Sequence, residues 1–241
     1  MNRIITFETI RNFAYVNHEI VKKPIRGIVL NFFGLGNKDM IKDENAEGEY
    51  YGDQGILYVH PYNNPWNWMN RQAVAYTDEL LDVLIEALGL DDSIPVVSTG
   101  GSMGGMSALV YSYYAKRTPV ACVANCPVCD MPYHLTERPD LPRTLYSAFW
   151  HEEGELAQVL EAYSPLHLAA KMPQIPYTIF HCTKDMSVNK EKHSDRFVAA
   201  MRESGHEVNY VIVPDRGHCD LPYAVKKQYK ACIANAILNR A

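Results

Sequence analysis

Apolar residues along this chain follow two alternating rhythms. Short, nearly unbroken runs occur at 27–33, 55–60, 95–99, 120–125, 177–182 and 208–213. Runs of that length, rich in Val, Ile and aromatic residues, predict strands covered on both faces. Between them lie longer segments with a spacing of three to four. Residues 71–88 place Val74, Leu81, Leu84, Ile85 and Leu88 on one stripe, and Gly89 supplies a stop. Residues 105–116, 191–204 and 222–238 predict further helices. Residues 4–7 and 13–20 alternate like an opening pair of strands. Strands that take turns with helices predict an α/β fold with a mainly parallel central sheet flanked by helices.

One segment breaks the rhythm. Residues 126–176 separate two predicted strands, hold seven of the fourteen prolines, and contain one clear helical stretch, 155–163. Such an excursion predicts a small cap or lid, about 127–175, inserted in a single domain spanning 1–241.

Composition narrows the class of protein. With 241 residues, 47% of them hydrophobic and 21% charged, the chain can bury a large core and lacks the bias of a disordered polypeptide. A formal net charge of −5, from 23 basic and 28 acidic residues, argues against nucleic acid as partner. No run approaches the ~18 apolar residues of a membrane span. The opening residues lack the apolar stretch of a secretion signal, so the expectation is a cytoplasmic protein with no membrane partner. Six cysteines in such a chain predict reduced thiols. Cys126 and Cys129 have a two-residue spacing, but no second pair follows to complete a zinc site.

The chemistry concentrates at Gly100-Gly101-Ser102-Met103-Gly104-Gly105, which sits between a predicted strand and a predicted helix. Gly100-x-Ser102-x-Gly104 fits a nucleophile elbow, a turn so sharp that residues beside the serine must lack side chains. A phosphate loop would need lysine where Met106 stands, and a dinucleotide fingerprint would need glycine where Ser102 stands.

A serine nucleophile needs a base, and the base needs an orienting acid. Asp185 follows the strand 177–182, and His218 follows the strand 208–213, giving the order Ser, Asp, His. Both lie past the C-terminal ends of strands, where ligands collect in parallel sheets. Asp215 and Asp220 flank His218 too closely in sequence to orient it and are expected as solvated loop charges. His181 begins the acid loop and is expected as a satisfied strand-end residue. The remaining histidines show no metal-like spacing; His151-Glu152 opens like a metalloprotease motif, but position 155 is Glu155. No metal or other cofactor is expected. An oxyanion hole would combine the N–H of Met103 with one from the glycine-containing turn 33–36, for which Leu35 is the candidate.

Together these residues resemble an α/β-hydrolase over nearly the whole chain, and in particular its prolyl-oligopeptidase-like and dienelactone-hydrolase-like branch. The resemblance rests on Phe33-Gly34-Leu35-Gly36, Pro61-Tyr62-Asn63-Asn64-Pro65-Trp66, the elbow, Tyr163-Ser164-Pro165 and the stretch 181–188. Ser102, Asp185 and His218 match the family triad. The chain departs from the pattern at Phe33, where histidine is common, and at Cys182, where glycine is usual. The resemblance implies hydrolysis through an acyl-enzyme. True oligopeptidases carry a large β-propeller for which this length leaves no room, so the expected substrate is a small-molecule carboxylic ester, with a short peptide as runner-up. A ligand-binding protein that kept the fold without chemistry is the third reading. Candidate substrate contacts are Trp66 and Trp68 in the loop after an early strand, and Tyr133, Phe149 and Trp150 in the cap.

Overall fold

A computed structural model describes residues 4–240. Seven strands form one sheet: β1 (Ala14–Val16), β2 (Gly27–Phe32), β3 (Ile56–Pro61), β4 (Val96–Gly101), β5 (Ala121–Asn125), β6 (Tyr177–Cys182) and β7 (Val208–Val213). Their spatial order is β1-β3-β2-β4-β5-β6-β7, and every pairing is parallel except β1 with β3.

The continuous apolar runs are explained by the layers. Along β2, Ile28, Leu30 and Phe32 face one buried cluster while Val29 faces a second; β3 divides Leu57 and Val59 from Ile56 and Tyr58 in the same way. The first face is covered by α2 (Arg71–Leu88), α3 (Met103–Tyr114) and α8 (Arg196–Glu203), the second by α1 (Ala46–Gly52) and α9 (Tyr223–Leu238). Right-handed crossovers place α1 opposite α2, α3 and α8, while α9, which follows the last strand, shares the face of α1. The connection from β2 to β3 moves towards one edge of the sheet, and those from β3 onward move the other way. Helix α2 begins at Asn70, whose side chain accepts from Ala73 N–H, and ends at Gly89 in the left-handed region, φ 61°.

Four departures from the sequence expectation have local causes. Residues 4–7 form no strand, because Thr6 and Thr9 bond each other's backbone and side chain and start a turn into a 3-10 helix, Ile10–Asn12. The strand expected over 13–20 shortens to β1. Asn17 ends it, donating to Gly48 O and Ile56 O and accepting from Tyr58 N–H in place of further ladder bonds. Helix α1 lacks an apolar stripe; it forms from its cap, Asn45, which accepts from Glu47 and Gly48 N–H. The segment expected to hold one helix holds four: α4 (Met131–His134), α5 (Leu141–Phe149), α6 (Leu156–Ala162) and α7 (Pro165–Leu168). Three begin with proline at the first or second position, where a missing N–H costs nothing. The prolines that suggested an irregular excursion mark helix starts. Among the described residues, no helix is long and apolar enough to cross a membrane.

Candidate active site

At the end of β4 the backbone folds sharply into α3, leaving Ser102 at φ 59°, ψ −126°. A non-glycine residue there is strained by about 1–3 kcal/mol. The glycines around it answer close backbone contacts. A Cβ on Gly104 would lie 2.1 Å from Phe32 O, and one on Gly100 would lie 2.5 Å from the backbone of Gly104. Neither position can carry a side chain while the turn holds. Ser102 N–H is anchored to Asn125 O of β5 at 2.9 Å, so the turn is tied to the neighbouring strand. The N-terminus of α3 lies beside the hydroxyl and leaves the Met103 N–H without an intrahelical partner.

Asp185 and His218 meet beyond the ends of β6 and β7. His218 Nδ1 donates to Asp185 Oδ2 at 2.7 Å, which leaves Nε2 as the ring's acceptor, with Cys219 Sγ 3.8 Å away. Asp185 Oδ1 accepts from Ser187 and Val188 N–H, both at 2.9 Å. His181 adds a contact on the far side, its Nε2 3.3 Å from Asp185 Oδ2. The same Nε2–H faces Val188 O at 3.1 Å, and Ser194 lies 2.6 Å from Nδ1. His181 is therefore a satisfied, fully buried strand-end residue, and it also braces the acid.

Electrostatics follow from this geometry. Burial raises the Asp185 carboxyl, but hydrogen bonds from His181, His218 and Val188 N–H outweigh it and hold the group well below the usual carboxylate range. Burial likewise lowers His218, while the bond to Asp185 and its charge more than offset that and raise the imidazole above its ordinary value.

Ser102 and His218 line one cavity of about 580 Å³, with Gly34, Leu35, Trp68, His134, Arg138 and Cys219 among its walls. Leu35 lines the same cavity as Ser102. The neighbouring donors are taken: Gly36 N–H by Pro65 O at 2.9 Å, and Asn37 N–H by Gly34 O at 3.3 Å. A Cβ on Gly34 would sit 4.0 Å from Ser102 Cβ, so this turn passes directly over the serine.

Of the aromatic candidates, the structure brings only Trp68 to the Ser102 cavity, fully buried with its Nε1 donating to Thr144 Oγ1. Trp66 and Trp150 line a separate cavity of about 430 Å³. Tyr133 lines a third of about 350 Å³, which shares Arg138 and Ser187 with the Ser102 cavity. Phe149 is buried in the core against Tyr163. Asp215 and Asp220 are exposed and pair with Lys184 and Arg216. Sequence reasoning missed His60, His134, Arg138 and Cys219. His60, near the C-terminal end of β3, had a signal, since that edge of the sheet is where ligands gather. It stacks on Phe33 with ring centroids 3.5 Å apart, and burial lowers its pKa to about 3. His134 closes the short helix α4 and Arg138 follows it in irregular chain, and neither belongs to a motif.

Comparison with known proteins agrees with this architecture. The prolyl oligopeptidase family profile, peptidase S9, matches residues 73–237, from α2 through α9. The chain belongs to the prolyl oligopeptidase family. Dipeptidyl peptidase family member 6 of Caenorhabditis elegans is 31% identical over 151 residues, which is 58% of this chain and 20% of that protein. A puromycin-hydrolyzing peptidase of Mycobacterium tuberculosis superposes with a TM-score of 0.72 at 17% identity, over 93% of this chain and 37% of its own. A lipase in its open form superposes with a TM-score of 0.65 at 14% identity, over 94% of this chain and 93% of the lipase. These likenesses establish the α/β-hydrolase fold. The chain thus spans about a fifth of its curated relative and somewhat over a third of that peptidase.

Proposed function

We propose that this chain is a serine hydrolase that cleaves the acyl bond of short peptides and their esters, with Ser102 as nucleophile, His218 as general base and Asp185 as the acid that orients it. The observation that carries this reading is the strained Ser102 at the tip of the elbow, in the same cavity as a His218 ring whose Nδ1–H is held by Asp185. A protein that only bound ligands would have no use for that strain. The sequence alone placed carboxylic esters first; membership of a peptidase family moves short peptides to the front.

In the proposed reaction, His218 Nε2 removes the Ser102 proton as Oγ attacks the carbonyl carbon. Asp185 keeps the proton of Nδ1 in place and stabilises the imidazolium that forms. The backbone N–H groups of Met103 and Leu35 hold the tetrahedral oxyanion. His218 then protonates the leaving amine or alcohol, and later activates the water that frees Ser102. The segment 127–175 serves as the cap of this site, a role supported by His134 and Arg138, which it contributes to the cavity wall.

The test is labelling with a fluorophosphonate, followed by peptide mass spectrometry. Adduct on the Ser102 peptide, absent from Ser102→Ala, is expected. A folded protein that takes no label would overturn the catalytic reading. Comparing kcat/KM for aminoacyl anilides and p-nitrophenyl esters then ranks the two substrate classes.

A further inference from the structure

Cysteines that are far apart in sequence converge beneath the candidate base. Cys219 follows His218 directly, adopts φ 57°, and lines the Ser102 cavity. Its Sγ is 3.8 Å from His218 Nε2 and 3.6 Å from Asn125 O. It lies so close to the elbow that a Cβ on Gly101 would approach it to 3.2 Å. Behind it, Cys126 also has a left-handed backbone, φ 46°, which turns its side chain in at the end of β5. Cys126 Sγ, Cys219 Sγ and a ring nitrogen of His218 lie within 4.8 Å of one another. The two-residue partner suggested by spacing, Cys129, instead directs its thiol to Pro127 O.

Two sulfurs and an imidazole nitrogen at such separations form three corners of a tetrahedron. Zinc bonds of ~2.3 Å to sulfur and ~2.0–2.1 Å to nitrogen place ligand atoms about 3.6–3.8 Å apart. The Cys219 Sγ–His218 Nε2 separation of 3.8 Å is slightly longer than the sulfur–nitrogen end of that range. The histidine is also supported as zinc-binding histidines are, with its other ring N–H held by a carboxylate, here Asp185 at 2.7 Å. His218 and Cys219 also line the Ser102 cavity.

We propose that Cys126, Cys219 and His218 form an inhibitory site for a thiophilic divalent cation of the Zn²⁺ class. On binding, both thiols release their protons to solvent as the two sulfur–metal bonds form. The Nε2 lone pair becomes the third ligand, and the Nδ1 proton stays on its bond to Asp185. The lone pair that would accept the Ser102 proton is then occupied, so metal and turnover exclude each other. The second half of this inference rests on His218 acting as the base.

The His134–Glu137–His193 cluster is a poorer cation site. His193 Nδ1 accepts from Cys129 and Asp130 N–H, which fixes the proton on Nε2, and that proton already faces Glu137.

Binding is tested without catalysis by titrating Ser102→Ala protein with Co²⁺. A thiolate-to-cobalt charge-transfer band is expected, displaced by Zn²⁺ and lost in the added Cys219→Ser or Cys126→Ser change. Inhibition is tested on the wild-type protein. Micromolar Zn²⁺ is expected to lower kcat by at least about tenfold, because general-base work of this kind is worth 10²–10⁴-fold. A chelator should restore the rate, and the ratio of rates with and without Zn²⁺ should approach one in each cysteine variant. Absence of the band in folded protein, or equal inhibition of wild type and both variants, overturns the site. A band without inhibition overturns the inhibitory role. Failure of Ser102 to take the fluorophosphonate would remove the catalytic reading alone, since the cobalt spectrum does not depend on turnover.

Discussion

Ser102 combines a strained backbone with the side chain proposed as nucleophile, and the two can be separated by substitution. Ser102→Ala keeps the left-handed conformation and should lose about 10⁴-fold or more in kcat while retaining the native circular dichroism spectrum. Ser102→Gly should be equally inactive yet unfold at a higher urea concentration than Ser102→Ala, because glycine relieves about 1 kcal/mol of strain at φ 59°. Equal midpoints would remove the strain argument. His218 makes a second residue-scale prediction. Its pKa is raised, and only the neutral ring can act as base, so the acid limb of kcat/KM should lie above pH ~6.5, the ordinary histidine value. Replacing Asp185 by Asn removes the charge that favours the imidazolium. The His218 titration, followed by NMR of the ring nitrogens, should then move to lower pH. An unchanged titration would mean that Asp185 does not set it.

At the scale of elements, the elbow works because β2, β4 and α3 approach more closely than side chains permit. Gly104→Ala would drive a methyl to 2.1 Å from Phe32 O and should cost about 3 kcal/mol in urea unfolding, as overpacking of a rigid site does. Gly217→Ala is the control: no atom lies within 4 Å of its added Cβ, so stability should change by less than about 0.5 kcal/mol. Helix α1 shows the converse case, an element defined at its end. Asn45→Ala removes both bonds to the first-turn N–H groups and should destabilise by about 1 kcal/mol. Helices α1, α4, α5 and α7 were illegible in the apolar pattern, and the strand over 13–20 read too long, for one reason. They are short, and side-chain bonds or proline positions set their limits.

Across the whole molecule, His60, Asp185 and His218 each contribute to the response to acid. His60 is buried beside Phe33 and titrates near 3, whereas in the unfolded chain it titrates near 6.5. Between those values the unfolded state binds the proton that the folded state refuses, so stability should fall as pH drops from about 6.5 towards 3. Asp185 works in a lower window. Its carboxyl is depressed when folded, so its contribution is present above about 3.9 and disappears as pH falls through the folded value. His218 acts in the opposite sense, favouring the folded state below about 6.5 and losing that contribution as pH rises through its raised folded value. Unfolding of His60→Phe as a function of pH should show a shallower loss than wild type between 6.5 and 4.

The layered α/β architecture, the elbow and the order of Ser102, Asp185 and His218 are legible in the chain before it folds. Each is written locally, in a run of apolar residues, a glycine spacing, or a residue placed just past a strand. Which distant side chains share the cavity is set by folding. Trp68 reaches it, while Trp66, Trp150 and Tyr133 line other spaces. Arg138 and His134 arrive from the segment between β5 and β6, and His181 braces Asp185 from within the sheet. Cys126 and Cys219 are 93 positions apart in the chain, yet their sulfurs meet beside one imidazole. Strand order and the left-handed turns at the strand ends bring these groups together, and a one-dimensional pattern carries neither.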